Sequence, residues 1–354
     1  MKRAPGRARV RRAPQRGPRM RPGRLRSFRD WRLADIIAGV LLLGVLAVGW
    51  SVAGPGPAAQ QGESTDVVLP EGARLPSIAA NLAEAHVIAS SPIFLLAAEM
   101  TGAASHLQAG EYQFASREPL WRVLTAIRSG AVVRRFVTVP EGVAAKAVVD
   151  ILDRTEFLTG ALQTPAEGAV LPETYEVRRG ESRASVLARM TAARDKLLAR
   201  LWADRAPGLP YRTKEDAVIL ASIVERETAL PSERPRIAGL FINRLRTGMR
   251  LESDPTVIYG LTGGTPLGHG LRVSELENPT PYNTYKISGL PPTPIGNPGR
   301  AALEAALRPA ATGDLYFVAD GTGGHLFAAS LEAHLKNVAH WRVIEKARAN
   351  MVTP

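Results

Sequence analysis

Residues 221–230 read ASIVERETAL, which sets Glu225 and Glu227 in a helix-like run of otherwise apolar or small side chains. A carboxyl group in low-dielectric surroundings resists ionising, so its pKa rises toward the range where it can protonate a leaving group near neutral pH. At about 100° per residue, Glu225 shares a helix face with Val218, Ala221, Ser222 and Ala229, a small-residue strip that would let another backbone or a ligand come close. Glu227 falls nearly opposite, with Asp216, Leu220 and Ile223. Both faces are apolar, so periodicity does not choose between the two glutamates. The bland alternative for each is an ion pair with Arg226 or another basic neighbour.

Other reactive constellations are missing from the sequence. GGTPLGHG at 263–270 lacks the Gly-Lys-Ser/Thr ending of a phosphate loop and reads as a flexible loop beside the site. His325, His334 and His340 have no zinc-site spacing, no G-x-S-x-G elbow occurs, and the chain has no cysteine. No cofactor and no metal are expected.

The carboxylates need elements to hold them. Helices are expected over 184–201, 214–228 and 235–246, followed by a Gly/Pro/Asn-rich run at 260–299. A hairpin of 315–318 with 325–328, closed by 320–324, and a terminal helix at 330–349 complete this part. Upstream, VLPEG at 68–72 leads into a helix at 75–85, and VPEG at 139–142 leads into one at 144–152. The chain thus repeats a strand, turn and helix, with a weaker third copy from Tyr175. Between the first two copies lie a helix at 94–100, a strand at 109–114 and a helix at 120–127. Two strands with intervening helices match the layout of a LysM-like module that binds N-acetylated glycans; a plain spacer fits as well, because no cluster of aromatics marks a sugar platform.

The net charge of +12 is concentrated at one end: residues 1–35 carry thirteen Lys or Arg against Asp30 and Asp35. The remainder is nearly neutral, which argues against a nucleic-acid partner for the folded part. Ile36 to Ala53 has no charge for eighteen residues, enough at about 1.5 Å per residue to cross most of a ~30 Å hydrocarbon layer. Arginines before this stretch orient it with the tail in the cytoplasm and the body outside, with Trp31 and Trp50 near the interfaces. The rival is a cleaved signal peptide, for which the basic segment is unusually long. GPGPAAQQGES at 54–64 is a linker.

Four ordered blocks resemble the endolytic murein transglycosylases, the MltG or YceG-like family: ASIVERETAL at 221–230, FINRLRTGMRLESDPTVIYG at 241–260, YNTYKISGLPPTPIGNPG at 282–299 and LYFVADGTGGHLF at 315–327. The resemblance extends over most of residues 66–345. It implies an α+β chain with a single transmembrane helix: a basic cytoplasmic tail (1–35), the membrane helix (36–53), a linker (54–65), a LysM-like module (66–138) and a catalytic domain (139–349). It implies that Glu225 is the catalytic acid and base, that peptidoglycan glycan strands are the substrate, and that peptidoglycan synthases are partners at the inner membrane. The sequence departs from the family at 167–175, where EGAVLPETY replaces E-G-Y-L-F-P-D-T-Y; two aromatics are lost and the Asp becomes Glu173.

The chemistry so implied needs one carboxylate. Ordinary glycosidases use two, whereas a lytic transglycosylase lets the C6 hydroxyl of N-acetylmuramic acid attack its own C1 and close a 1,6-anhydro ring. Asn243, Asp254, Tyr259, Asn283 and Tyr285 are candidates for substrate binding, since amide, carboxylate and phenol groups bond sugar hydroxyls and rings stack on pyranoses. Each also has a structural reading: Asn243 pinning its helix, Asp254 starting a turn before Pro255, the tyrosines in the core. Two alternatives remain open, a hydrolase pairing Glu225 with Asp254 and a non-catalytic peptidoglycan-binding scaffold.

Overall fold

The computed structural model describes residues 28–352, with side chains placed for 32–348. Most of the basic tail expected at 1–35, and the Trp31 side chain, lie outside the described residues. The first helix, α1 (Phe28–Ala53), starts before the charge-free stretch, because charge bounds the apolar segment and not the helix. It contains the one helix among the described residues long and apolar enough to cross a membrane, with none of that span buried against the protein. Leu33, Ile37, Val40, Leu41 and Leu43 are all exposed around it, as suits a helix surrounded by an apolar medium.

Beyond α1 the protein is mixed α+β and divides into two compact units, one of residues up to 109 with 113–131 and one of 110–112 with 132 onward. The first unit contains β1 (Ser64–Leu69), α2 (Leu75–Glu84), α3 (Ser91–Met100), most of β2 (Gly110–Ala115) and α4 (Leu120–Ser129), with β1 and β2 forming a two-stranded sheet. Burial of Leu120, Val123, Leu124 and Ile127 on α4 follows the helical period.

In the second unit β3 (Arg135–Thr138) pairs antiparallel with β4 (Thr174–Val177), Arg135 opposite Val177 and Thr138 opposite Thr174. Helix α5 (Ala145–Asp153) lies between them in sequence. The third copy of the strand unit is therefore the sheet partner of the second. Both Pro-Glu-Gly turns place their glycine in the left-handed region, Gly72 at φ 72° and Gly142 at φ 77°, where a side chain would be strained. Helices α6 (Arg183–Ala203), α7 (Lys214–Glu227), α8 (Arg234–Arg246), α9 (Asp254–Thr262), α10 (Val273–Leu276) and α11 (Arg300–Leu307) follow. The hairpin β5 (Tyr316–Ala319) and β6 (His325–Ala328) and the terminal α12 (Leu331–Val352) end the described chain.

Helices α9 and α10 occupy sequence read as turn and loop. Asp254-Pro255 opens α9: proline is tolerated in the first turn because its missing N–H would have no helical partner there. Since every sheet among the described residues has two strands, the main core is built from helices. Leu197 and Leu201 of α6, Ile223 of α7, Phe241 of α8 and Leu303 of α11 meet in it, with α11 packed against the other three helices.

Candidate active site

A capping box starts α7: the Thr213 hydroxyl accepts from Asp216 N–H at 3.1 Å, and the Asp216 carboxylate accepts from Thr213 N–H at 3.0 Å. Every residue from Ala217 to Glu225 is buried, as expected for a run apolar on both faces. The small-residue strip admits a backbone. Ile295 N–H donates to the Ser222 hydroxyl at 3.0 Å, and Gly299 N–H donates to Glu225 Oε2 at 2.9 Å, so the segment 295–299 runs along this face. Ala229, assigned to the strip by periodicity, lies beyond the end of the helix, which gives way to extended backbone at Thr228.

Glu225 is 9% exposed. Its Oε1 receives Nη2 of Arg234, the first residue of α8, at 2.6 Å, and the same nitrogen reaches Glu141 Oε2 at 3.3 Å. Burial, joined by the adjacent Glu141 charge, pushes the Glu225 carboxyl above its ordinary pKa; the Gly299 N–H and Arg234 work against this without reversing it. An ion pair is thus present, as the bland alternative required. Its cation is Arg234 and not Arg226, and it does not bring the carboxyl back to its ordinary pKa. Arg226 donates instead to the carbonyl of Gly142 at 3.2 Å.

The surrounding loops are bolted together by two residues that sequence reasoning did not single out. Asn297 donates to Val143 O at 2.9 Å and accepts from Val170 N–H at 3.0 Å. Gly142 N–H donates back to the Asn297 carbonyl at 2.9 Å. Glu167 accepts from Ala145 N–H at 2.8 Å and from the Tyr259 hydroxyl at 3.0 Å, serving as the acceptor that α5 lacks from its own cap residue. Burial raises the Glu167 carboxyl too. The Pro-Glu-Gly turn, the EGAVLPETY block and the Asn-Pro-Gly loop therefore converge on the end of α7. The glycine-rich loop adjoins them, since a Cβ on Gly264 would lie 2.5 Å from that of Ala144.

The five proposed sugar contacts divide. Tyr259 is bonded to Glu167 and packs edge-on against Tyr282 at 4.9 Å. Asp254 and Tyr285 bond each other at 2.7 Å and adjoin Glu227. Asn283 is fully buried: its amide donates to Leu276 O at 2.8 Å and Asn278 O at 2.7 Å and accepts from Tyr285 N–H at 3.0 Å, so it is not placed to touch sugar. Asn243 likewise pins its helix, donating to Thr312 O at 2.7 Å and Asp314 O at 3.1 Å. Arg234 was missed because it lies just outside the motif, on the next helix, and Glu141 because it was read as turn chemistry. The Glu repeated in both Pro-Glu-Gly turns was the one available signal.

A buried carboxyl with a raised pKa at the end of a core helix, next to a shared guanidinium and a backbone N–H, is a candidate for general acid and base chemistry in a mixed α+β protein. The chain belongs to the YceG-like family, which it matches over residues 67–340. It is 30% identical over 315 residues to the endolytic murein transglycosylase of Bacillus subtilis (strain 168), covering 77% of this chain and 83% of that protein. It is 34% identical over 180 residues to the endolytic murein transglycosylase of Streptococcus pneumoniae serotype 2, covering 49% of this chain and 32% of that protein. A crystal structure from Listeria monocytogenes, described as yceG-like, superposes with a TM-score of 0.50 at 28% identity, covering 77% of this chain and 98% of that one.

Proposed function

We propose that this protein is an endolytic lytic transglycosylase. It cuts the β-1,4 bond between N-acetylmuramic acid and N-acetylglucosamine in peptidoglycan strands and leaves a 1,6-anhydro end. The observation that carries the reading is Glu225 itself: a buried carboxyl held toward its protonated form, in a family whose relatives bear that activity in their names. Glu225 protonates the glycosidic oxygen, and the bond to C1 breaks. The resulting carboxylate takes the proton of the C6 hydroxyl as that oxygen attacks C1, which restores the acid and closes the ring. Holding the hydroxyl beside C1 makes the attack intramolecular and disfavours water.

Asp254, the second carboxylate of the hydrolase alternative, accepts from the Tyr285 hydroxyl and lies near Glu227. Tyr259, Tyr285 and Asp254 remain the proposed sugar contacts. The proposed layout is a basic cytoplasmic tail, a membrane helix at 36–53, a linker, a LysM-like module at 66–138 and a catalytic domain at 139–349 outside the membrane. The order strand, two helices, strand between residues 64 and 115 supports the module. Anchoring would bias cleavage toward newly made strands near peptidoglycan synthases and limit strand length.

Mass spectrometry of fragments released from purified glycan strands by the full-length protein tests the reading. Anhydro-muramic ends are expected; reducing muramic ends would make it a hydrolase, and no release at all would make it a binding scaffold.

A further inference from the structure

We propose that Glu141, in the second Pro-Glu-Gly turn, is a positioning residue for bond cleavage, dividing the Arg234 guanidinium between two carboxylates so that Glu225 is never its sole partner. The inference rests on the transglycosylase reading for its kinetic part and on geometry for the rest.

Arg234 approaches Glu225 and Glu141 through one nitrogen, Nη2, at 2.6 and 3.3 Å. Neither contact is the two-pronged fork in which an arginine holds a carboxylate most strongly. Its buried Nε has no hydrogen-bond partner among the described residues. An arginine serving only as structural counter-ion for Glu225 would be expected to use that fork. The arrangement instead places two acids against one cation, so a site carrying a single positive charge is best matched when one carboxyl keeps its proton. The two acids differ in exposure. The Glu225 side chain is 4% exposed and that of Glu141 is 43% exposed. Burial therefore penalises the ionised form at Glu225, the less exposed of the two, and raises its pKa.

The groups facing Glu225 are few. Helix α8 supplies Arg234, the β3–α5 turn supplies Glu141, and the 295–299 segment supplies the Gly299 N–H. On its own helix Arg226 is directed to Gly142 O and lies near Glu167. Glu233, beside Arg234 in sequence, is taken by His325 at 2.7 Å. Glu141 is thus the neighbouring anion able to compete for Arg234. The two acids are also within hydrogen-bond reach of each other, closer than the roughly 6.5–9.5 Å gap that holds an attacking water in inverting glycosidases. Glu141 therefore tunes the acid and is not a second catalytic base.

The experiment uses the full-length chain in detergent micelles and two readouts. Carboxyl carbon-13 NMR, with the Glu225 signal assigned from Glu225→Gln, follows its titration without substrate. Glu141→Gln should move that titration about one pH unit lower, as expected when an arginine is left to one carboxylate, and Glu141→Asp should move it less. In turnover, Glu141→Gln should shift the alkaline limb of kcat down by the same amount and lower the rate above that limb about tenfold, with KM unchanged. An unmoved Glu225 titration overturns the proposal whatever the enzyme does. A uniform loss of kcat at all pH values, or a raised KM with unchanged kcat, overturns it in favour of a structural or a sugar-binding role. If the wild type releases no anhydro product, the functional reading fails while the NMR arm still decides the pairing.

Discussion

Glu225 and Glu227 stand two residues apart on α7, and burial raises both carboxyls, yet their surroundings have opposite designs. Glu225 meets a charged partner, a backbone N–H and a second acid whose side chain reaches water. Glu227 meets the Ser253 hydroxyl, with Asp254 and Arg244 nearby, and burial drives its pKa to about 7. Arg244 does not answer Glu227 directly; it bonds the carbonyls of Arg250, Leu251 and Leu315 and the carboxylate of Glu252. One acid shares an arginine with a second carboxylate. The other is held among groups that close a loop. A raised carboxyl pKa therefore identifies candidates, and the partners decide which one is chemical.

The sharpest way to break this contrast is to remove each acid in turn. Glu225→Gln keeps the shape and removes the transferable proton, so strand cleavage should fall by about a thousandfold or more, within the range for loss of a general acid. A variant that still releases anhydro fragments at near wild-type rate would end the assignment. Glu227→Gln should leave cleavage within about threefold and act on stability instead. Because the folded-state pKa of Glu227 is raised from 4.5 to about 7, its contribution is complete below about pH 4.5 and is lost as the pH climbs through 7. The difference is on the order of 3 kcal/mol. Thermal melts of the wild type should weaken from pH 5 to 8, while the Gln variant, which cannot ionise, should stay flatter and melt higher at pH 8. Parallel melting curves would show that Glu227 ionises freely in the fold.

Asn243→Ala separates scaffold from substrate contact in the same manner. Gly239, one turn earlier, has no room for a side chain because its Cβ would meet Ala310 O at 2.5 Å. The segment 310–314 therefore lies directly on α8, and Asn243 ties it down through two carbonyls. Losing both bonds should cost about 2 kcal/mol with KM unchanged; a raised KM at wild-type stability would return Asn243 to the sugar.

What could be read from the sequence follows from the range of the forces involved. The apolar first helix, the Pro-Glu-Gly turns and the helices at 183–203, 214–227 and 234–246 are set by local pattern, and the small strip carrying Ser222 foretold a close backbone. The choice between Glu225 and Glu227 was not legible, because a helix apolar on both faces has no periodic signal to orient it. Arg234 and Glu141 reach Glu225 across 9 and 84 residues of chain, and the Glu141–Arg234 bond spans 93. Tertiary packing alone makes those meetings. Helix α9 was hidden by its proline, and the roles of Asn283 and Asn297 by polar side chains that serve buried backbone as readily as ligands.

The finest test of the contrast is Gly299→Ala. Gly299 has a φ of −74°, which any residue adopts, so the substitution introduces no backbone strain. Its new Cβ would fall 1.9 Å from Glu141 Oε1 and 2.3 Å from Cδ, while the nearest contacts all belong to that one side chain. Glu141 is half exposed and can swing away, so the fold should lose under about 1 kcal/mol. Swinging away removes it from Arg234 without deleting its charge. The cleavage profile should then shift in the same direction as for Glu141→Gln but by less, with a fall of about threefold above the alkaline limb. Glu227 should titrate as before, because nothing near Gly299 touches it. A drop in stability with an unmoved profile would show that Gly299 is kept for packing, and that the position of Glu141 has no bearing on the acid.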